Sequence, residues 1–239
     1  MAPSYKLTLL FTRRPDLGLD DFATAWLALE RARPLAAEGL SRSAIHIALP
    51  GVAAVRGATS APYDAVLETW WERKNDAANW VVSRQFDDEW MPPRLELLAG
   101  RPAAVGGAPV LAWERDGESA GADASAAEAI TVITLPVARR GLRFDEFAQH
   151  WTEIHAGLAL SGAGAKDRLL RLENTPASVP APTRFARTNY NGVGSITFRS
   201  IAALEEEFSS EHYLDRLAPD EERFTNTEAS AVFVGRLVT

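Results

Sequence analysis

The sequence predicts an α+β protein made of two βαββαβ repeats whose antiparallel sheets face each other as a barrel within one chain. Three observations lead there. A pattern occurs twice: Asp20-Asp21-Phe22-Ala23-Thr24-Ala25-Trp26 with Glu30 beyond it, then Asp145-Glu146-Phe147-Ala148-Gln149-His150-Trp151 with His155 beyond it, at a constant offset of 125. Self-similarity at a fixed spacing signals a duplicated structural unit. The order of strand-like and helix-like segments is also the same in both halves. Finally, Glu114 to Glu128 carries no aromatic or branched aliphatic residue, so it can bury little and reads as a linker. The boundaries that follow are 1–113 for the first repeat, 114–128 for the linker and 129–239 for the second repeat.

Tyr5 to Phe11 is an apolar run that opens the first repeat as a strand. Arg13 to Gly18 contains Pro15 and Gly18 and reads as a turn. Asp20 can cap a helix by accepting from the free N–H groups of its first turn, and Phe22, Trp26, Leu29 and Ala36 then fall on one face. Ala44 to Leu49 is a short strand, followed by a loop rich in Gly, Ala and Pro up to Pro62. Tyr63 to Trp71 alternates as a strand. Asp76 to Glu89 is a helix anchored by Trp80 and Phe86 and ended by Pro92-Pro93, and Val110 to Trp113 is the last strand. In the second repeat the strand is Ile130 to Leu135 and the turn is Arg139-Arg140-Gly141. The helix runs from Phe144 or Asp145 to about Leu160. Leu169 to Leu172 is a strand, Asn174 to Thr188 a loop with three prolines, Tyr190 to Phe198 a strand, Ile201 to Leu217 a helix and Ala231 to Leu237 the final strand. Late in the repeat the offset becomes 127, pairing Tyr63 with Tyr190, Ser83 with Ser210, Phe86 with Tyr213 and Pro92 with Pro219. Strand–helix–strand–strand–helix–strand makes a four-stranded antiparallel sheet with both helices on one face, a ferredoxin-like unit. Two such units cover their bare faces by apposing them.

Composition bounds the function. At 239 residues with 46% hydrophobic and 24% charged residues, the chain has the make-up of a globular protein that buries a sizeable core. No run of about 18 apolar residues predicts a membrane span, and the N-terminus lacks a secretory layout. There are no cysteines, which excludes disulfides, a thiolate nucleophile and thiolate-ligated metals and fits a cytoplasmic location. A net charge of −7 disfavours a nucleic-acid partner. No Gly-x-Gly-x-x-Gly, phosphate loop, nucleophile elbow or His-Glu-x-x-His occurs, which disfavours nucleotide cofactors and zinc hydrolysis.

Phe144-x-x-Phe147-x-x-His150-Trp151-x-x-x-His155, followed by Leu158-Ala159, resembles the signature of the EthD-like family of the dimeric α/β-barrel superfamily. Phe198, Leu204, Phe208, Ser210 and Phe224 are similar to that family's second-helix region. The resemblance covers most of residues 130–239 and is weaker over 5–113, where Ala25 and Glu30 stand at the two histidine positions. It implies two ferredoxin-like units joined through their sheets, with a pocket between sheet and helices. The superfamily includes cofactor-free oxygenases, isomerases, polyketide cyclases, decarboxylases and haem proteins, so it identifies the fold better than the reaction.

With Phe147 at zero on a helical wheel, Trp151 lies near about 40°, His155 near about 80° and His150 near about −60°. The two histidines then flank the buried stripe on opposite sides. His155 is the candidate general base or acid, since an imidazole exchanges protons near neutrality. Tyr190 is the candidate donor to a developing oxyanion. Trp151, His150, Tyr213 and Phe198 are candidate substrate-binding residues. His212 reads as solvated, and His46 faces either the barrel or solvent. Glu30 is either a base in an apolar pocket or a solvated helix end. Trp70 and Trp71 are adjacent on a strand and point to opposite faces. The expectation is an enzyme without a cofactor, with haem as an alternative. It would carry out isomerisation, cyclisation, decarboxylation or a lyase step on a small aromatic or polyketide-like carbonyl compound. A non-catalytic binder of hydrophobic small molecules is the other reading. One working pocket is expected, in the second repeat of a monomer or homodimer of fused barrels.

Overall fold

The computed structural model describes residues 3–52, 58–115, 128–177 and 183–238. The first repeat comprises β1 (Tyr5–Phe11), α1 (Leu19–Ala32), β2 (Leu40–Ala48), a two-residue β3 (Thr59–Ser60), β4 (Ala65–Trp71), α2 (Lys74–Val81), a π turn (Gln85–Trp90), α3 (Met91–Leu95), β5 (Ala103–Gly107) and β6 (Val110–Glu114). The second comprises β7 (Ile130–Leu135), α4 (Phe144–Gln149), a π turn (His150–His155), α5 (Ala156–Leu160), α6 (Ala165–Arg168), β8 (Leu169–Pro176), β9 (Gly192–Phe198), α7 (Ile201–Ser209), a π turn (Tyr213–Leu217), α8 (Ala218–Phe224) and β10 (Ala231–Leu237).

All strands belong to one sheet in the order β5-β1-β4-β2-β10-β7-β9-β8-β6, with β3 beside β10. Each repeat thus has the ferredoxin-like order, β5-β1-β4-β2 and β10-β7-β9-β8. One seam between them is short, pairing Ala48 with Gly235, Ile47 with Arg236 and His46 with Leu237. The other seam is made by one bent strand. Its first part, β5, pairs with β1, and after Ala108-Pro109 its second part, β6, pairs with β8. Both ends of the sheet are therefore parts of one strand, and the barrel closes. Gly107 sits at the bend, where a Cβ would stand 1.9 Å from the carbonyl oxygen of Pro176; only glycine lets the backbones cross so closely.

Several expectations change here: α1 is capped at Gly18 without a side-chain bond rather than by Asp20, and Asn174 to Pro176 belong to β8 rather than to a loop. The fourth strand of the first repeat is β5, whose Ala-Ala-Val-Gly-Gly sequence carries no β-branched run to signal it. Val110–Glu114 instead leaves that sheet to close the barrel, so Glu114 belongs to a strand rather than to a linker; residues 116–127 of the expected linker lie outside the described residues. Pro92 and Pro93 do not stop a helix but occupy the first turn of α3, which continues directly from the preceding π turn.

Strand residues alternate between two cores. Tyr5, Leu7, Leu9 and Phe11 pack with Phe22, Trp26, Trp71, Trp80 and Trp90 on the helical side. Leu10, Val66, Val105, Ile133, Val193 and Phe233 fill part of the barrel interior. The rest of the interior is polar. Lys6, fully buried, lies 2.5 Å from Glu68 Oε1 and 2.8 Å from Glu173 Oε1 and donates to Ser195 Oγ at 3.0 Å. His46 Nε2 meets Glu68 Oε2 at 2.9 Å, and Trp70 Nε1–H donates to Glu173 Oε1 at 2.9 Å. His46 and Trp70 thus face the interior, while Trp71 lies on the helical side. Among the described residues no helix is long and apolar enough to cross a membrane.

Candidate active site

The histidine-bearing helix starts at Phe144, where the Glu146 carboxylate accepts the backbone N–H of Arg143 at 3.0 Å and ties the first turn. Phe147 is fully buried and Trp151 nearly so. The Trp151 indole lies flat on β9, over Gly192 and Gly194; a Cβ at either position would come within 2.4 and 3.0 Å of its ring. The next residues form a π turn, His150–His155. A π turn bonds residue i to i+5, so two residues five apart stack on the same side. Around an α-helix His150 and His155 would diverge; here they converge.

They converge on Asp220, in α8. His155 Nδ1 lies 3.0 Å from Asp220 Oδ2, and His150 Nε2 lies 3.0 Å from Oδ1 and 3.1 Å from Oδ2. The Asp220 side chain is only 5% exposed. Burial pushes its carboxyl up, but the bonds to His155 and His150 outweigh that and hold it below the usual carboxylate range. An ionised carboxylate only accepts, so both facing ring nitrogens carry hydrogens. His155 is thereby fixed as the Nδ1–H tautomer, leaving Nε2 free to take a proton. Burial lowers its pKa, and His150 adds to that. Phe224 packs against both imidazoles, with centroids 4.9 Å from His150 and 5.1 Å from His155.

His155 lines a cavity of about 340 Å³ between the sheet and the helices of the second repeat. Its walls are largely apolar, with Leu135, Trp151, Leu172, Ile196, Phe208 and Phe224 prominent. Polar atoms enter at Asn174, Tyr213 and Glu221. Glu221 Oε1 stands 4.0 Å from His155 Nε2, and the Tyr213 hydroxyl lies 3.5 Å from Glu221 Oε2. Burial, then the charges of Asp220 and Glu222, push Glu221 up to about 7. Burial and Glu221 likewise raise the Tyr213 phenol. The site thus holds an imidazole with a free lone pair beside a carboxyl that stays protonated up to near neutrality.

Of the residues singled out from sequence, His155, Trp151 and Tyr213 line this cavity. His150 lies behind it, on Asp220. Phe198 does not line it; it is buried in the core beneath α7, 5.8 Å from Phe208. Tyr190 does not reach it either. It precedes β9, packs with Tyr63 against the barrel interior and hydrogen-bonds with the Tyr63 hydroxyl, which helps burial raise that phenol. It therefore has no access to an oxyanion formed beside His155. His212 is not simply solvated: its Nε2 meets the Leu158 carbonyl oxygen at 2.9 Å.

The first repeat shows what the site becomes without its histidines. Glu30 stands at the His155 position. It is neither a free base nor a solvated helix end, because Arg94 Nη2 donates to its Oε1 at 2.9 Å. Arg94 is fully buried, donates to the Trp90 carbonyl oxygen at 2.6 Å and lies 4.1 Å over the Trp90 ring. The late offset of 127 places Arg94 at Glu221 and Pro93 at Asp220. A salt-bridged guanidinium occupies the place of the acidic side of the cavity. Asp220 and Glu221 were missed from sequence, yet the signal existed: the Pro92–Pro219 match, read one and two residues further, sets Asp-Glu against Pro-Arg where the two copies differ most. Among the described residues no three His, Asp or Glu side chains are grouped to hold a metal ion.

Residues 139–228, within the histidine-bearing repeat, match the family model described as EthD domain. Solved structures of low identity share the whole fold. An anthrone oxidase-like protein superposes with a TM-score of 0.65 at 14% identity, over 100% of this chain and 92% of its own. A candidate monooxygenase from Fusobacterium nucleatum gives 0.63 at 9%, over 100% and 94%. A mutant chlorite dismutase from Candidatus Nitrospira defluvii gives 0.53 at 11%, over 100% and 93%. No curated protein sequence matches the chain.

Proposed function

We propose that the chain, whose histidine-bearing repeat resembles an EthD domain, is a cofactor-independent enzyme that moves a proton on a small, flat, aromatic or polyketide-like carbonyl compound. One observation carries the reading: His155 presents its free Nε2 to an apolar cavity while Asp220 holds Nδ1. In the proposed step Nε2 takes a proton from a carbon beside the carbonyl. The C–H electron pair moves into the ring system and charge develops on the carbonyl oxygen. Glu221, kept neutral by burial, donates a hydrogen bond to that oxygen; a carboxylic acid in an apolar site can serve this way. Return of the proton to the same or another carbon completes exchange or isomerisation; expulsion of a β leaving group from the enolate, with its bonding pair, gives the lyase variant, and in the decarboxylation variant loss of CO₂ from a β-keto acid forms the enolate, which protonated His155 then protonates at carbon. Trp151 and Phe224 supply flat surfaces for the ring.

Anthrone, which the name of one similar structure suggests, and related tricyclic ketones are the first compounds to try. A bound ligand at about 100 times its dissociation constant stabilises the fold by about 2.7 kcal/mol, which a thermal shift detects. Exchange of the acidic C–H for deuterium, followed by NMR, then reads the proton transfer directly. His155→Ala is expected to slow it by about 10²–10⁴ while leaving the fold intact; a variant with full exchange activity would end the assignment. Binding without catalysed exchange by the native protein would instead favour a non-catalytic binder. A haem reading, with iron on Nε2, suits the residues less well: Glu221 stands 4.0 Å from that nitrogen, and about 340 Å³ is at the small end of ligand cavities. A Soret band on adding haem would favour it.

A further inference from the structure

His150 does not line the cavity, yet it shares with His155 the carboxylate that orients the proposed base. We infer that His150 is a positioning residue: through Asp220 it fixes the tautomer of His155 and tunes how readily His155 takes a proton. This rests on the proposed role of His155.

Three independent observations support it. The first is the shared acceptor. A buried carboxylate is stable only when its lone pairs are met. His155 meets Oδ2 alone; His150 spans both oxygens at 3.0 and 3.1 Å. That bond stops the carboxylate from rotating, so Oδ2 stays aimed at Nδ1 of His155. The second is the packing. Phe224 stacks on the His150 ring at 28° and holds it against Asp220. The third is the comparison between repeats. Phe22 and Trp26 build the same helix in the first repeat without any imidazole, and the three members of the arrangement are absent there together: Ala25 for His150, Glu30 for His155 and Pro93 for Asp220. A residue needed only to fold the helix would have no reason to leave with the other two.

The charges around the pair are few. Asp220 faces His150 from α8. Arg223 Nη1 stands 3.7 Å from Asp220 Oδ1 but is largely exposed. His155 lies on the same turn, with Glu221 beyond it. Any charge carried by His150 opposes a second positive charge on His155, so the two are linked through one carboxylate.

The test is NMR of ¹⁵N-histidine-labelled full-length protein without ligand. The native protein is expected to show His155 as the Nδ1–H tautomer. His150→Gln keeps a donor to Asp220 but replaces the imidazole with an amide that cannot take up a proton; the His155 tautomer should persist while its titration midpoint moves to higher pH. His150→Phe removes the donor as well, and His155 should then show a mixture of tautomers. Arg223→Ala should change neither. A His155 midpoint and tautomer that are the same in His150→Gln as in the native protein overturn the inference, and that variant decides the matter even if His150→Phe does not fold. None of these readouts uses a substrate, so failure here leaves the function of His155 standing, whereas an active His155→Ala removes that function whatever His150 does.

Discussion

At the scale of single residues the site is a contrast between two acids one position apart. Asp220 is ionised because two imidazoles donate to it; Glu221 is neutral up to about 7 because apolar walls and neighbouring carboxylates oppose its charge. Opposed environments for adjacent titratable groups are how one site provides both a base partner and an acid. The sign of the pH dependence follows. His155 must be neutral, which holds above its lowered pKa. Glu221 must be protonated, which holds below about 7. Activity is therefore expected to peak just below neutrality and to fall on the alkaline side with a midpoint near 7. Glu221→Gln keeps a donor that does not titrate, so a pH–rate profile of this variant should lose the alkaline limb. An alkaline limb unchanged in Glu221→Gln would show that another group sets it.

At the scale of elements, helix type decides which side chains meet. A wheel of 100° per residue, appropriate to an α-helix, sends His150 and His155 to opposite sides of the stripe. The π turn brings them to one carboxylate. The equivalent stretch of α1 has the same length and stays α-helical, so sequence spacing alone does not reveal the change. The strand beneath matters equally. Gly192 leaves room for the Trp151 ring, and a Cβ there would meet that ring at 2.4 Å and the Thr175 carbonyl oxygen at 2.8 Å. Gly192→Ala is expected to lose about 1–3 kcal/mol, the usual range for overpacking, seen calorimetrically as a melting point several degrees lower, and to weaken ligand binding by pushing Trp151 into the cavity. An unchanged melting point would mean that the indole moves aside freely.

At the scale of the whole molecule, the two repeats are keyed to each other by the buried charges in the barrel. Lys6 of the first repeat joins Glu68 of its own sheet to Glu173 and Ser195 of the other. Burial pushes both carboxyls up, but Lys6, with His46 for Glu68 and Arg171 for Glu173, holds them below the usual range. Lys6→Met would leave two buried carboxylates without their main partner, a loss of about 3–5 kcal/mol by analogy with broken buried pairs, readable as a lower midpoint in urea. Because depressed carboxylate pKa values stabilise the fold above the unfolded-state value of about 4.3, the native protein should lose stability as pH falls through and below that range. The Lys6→Met variant should lose less over the same interval. Equal acid sensitivity in both proteins would show that the cluster contributes little.

The sequence by itself determined the duplication, the two ferredoxin-like units and the loss of histidines from one of them, because periodicity and repeat offsets are local properties that survive in a linear string. It also marked Trp151, on the stripe it could phase, and His155, beside that stripe. It did not reveal β5, built from alanine, glycine and a single valine and recognisable only by its pairing with β1. Nor did it reveal that Tyr190 lies away from the cavity, or that His150 and His155 share Asp220 from some 65 to 70 residues further along the chain. Those facts belong to the tertiary structure, since a carboxylate's charge and an imidazole's tautomer are set by whichever groups packing brings within three ångströms, and no spacing along the chain records that.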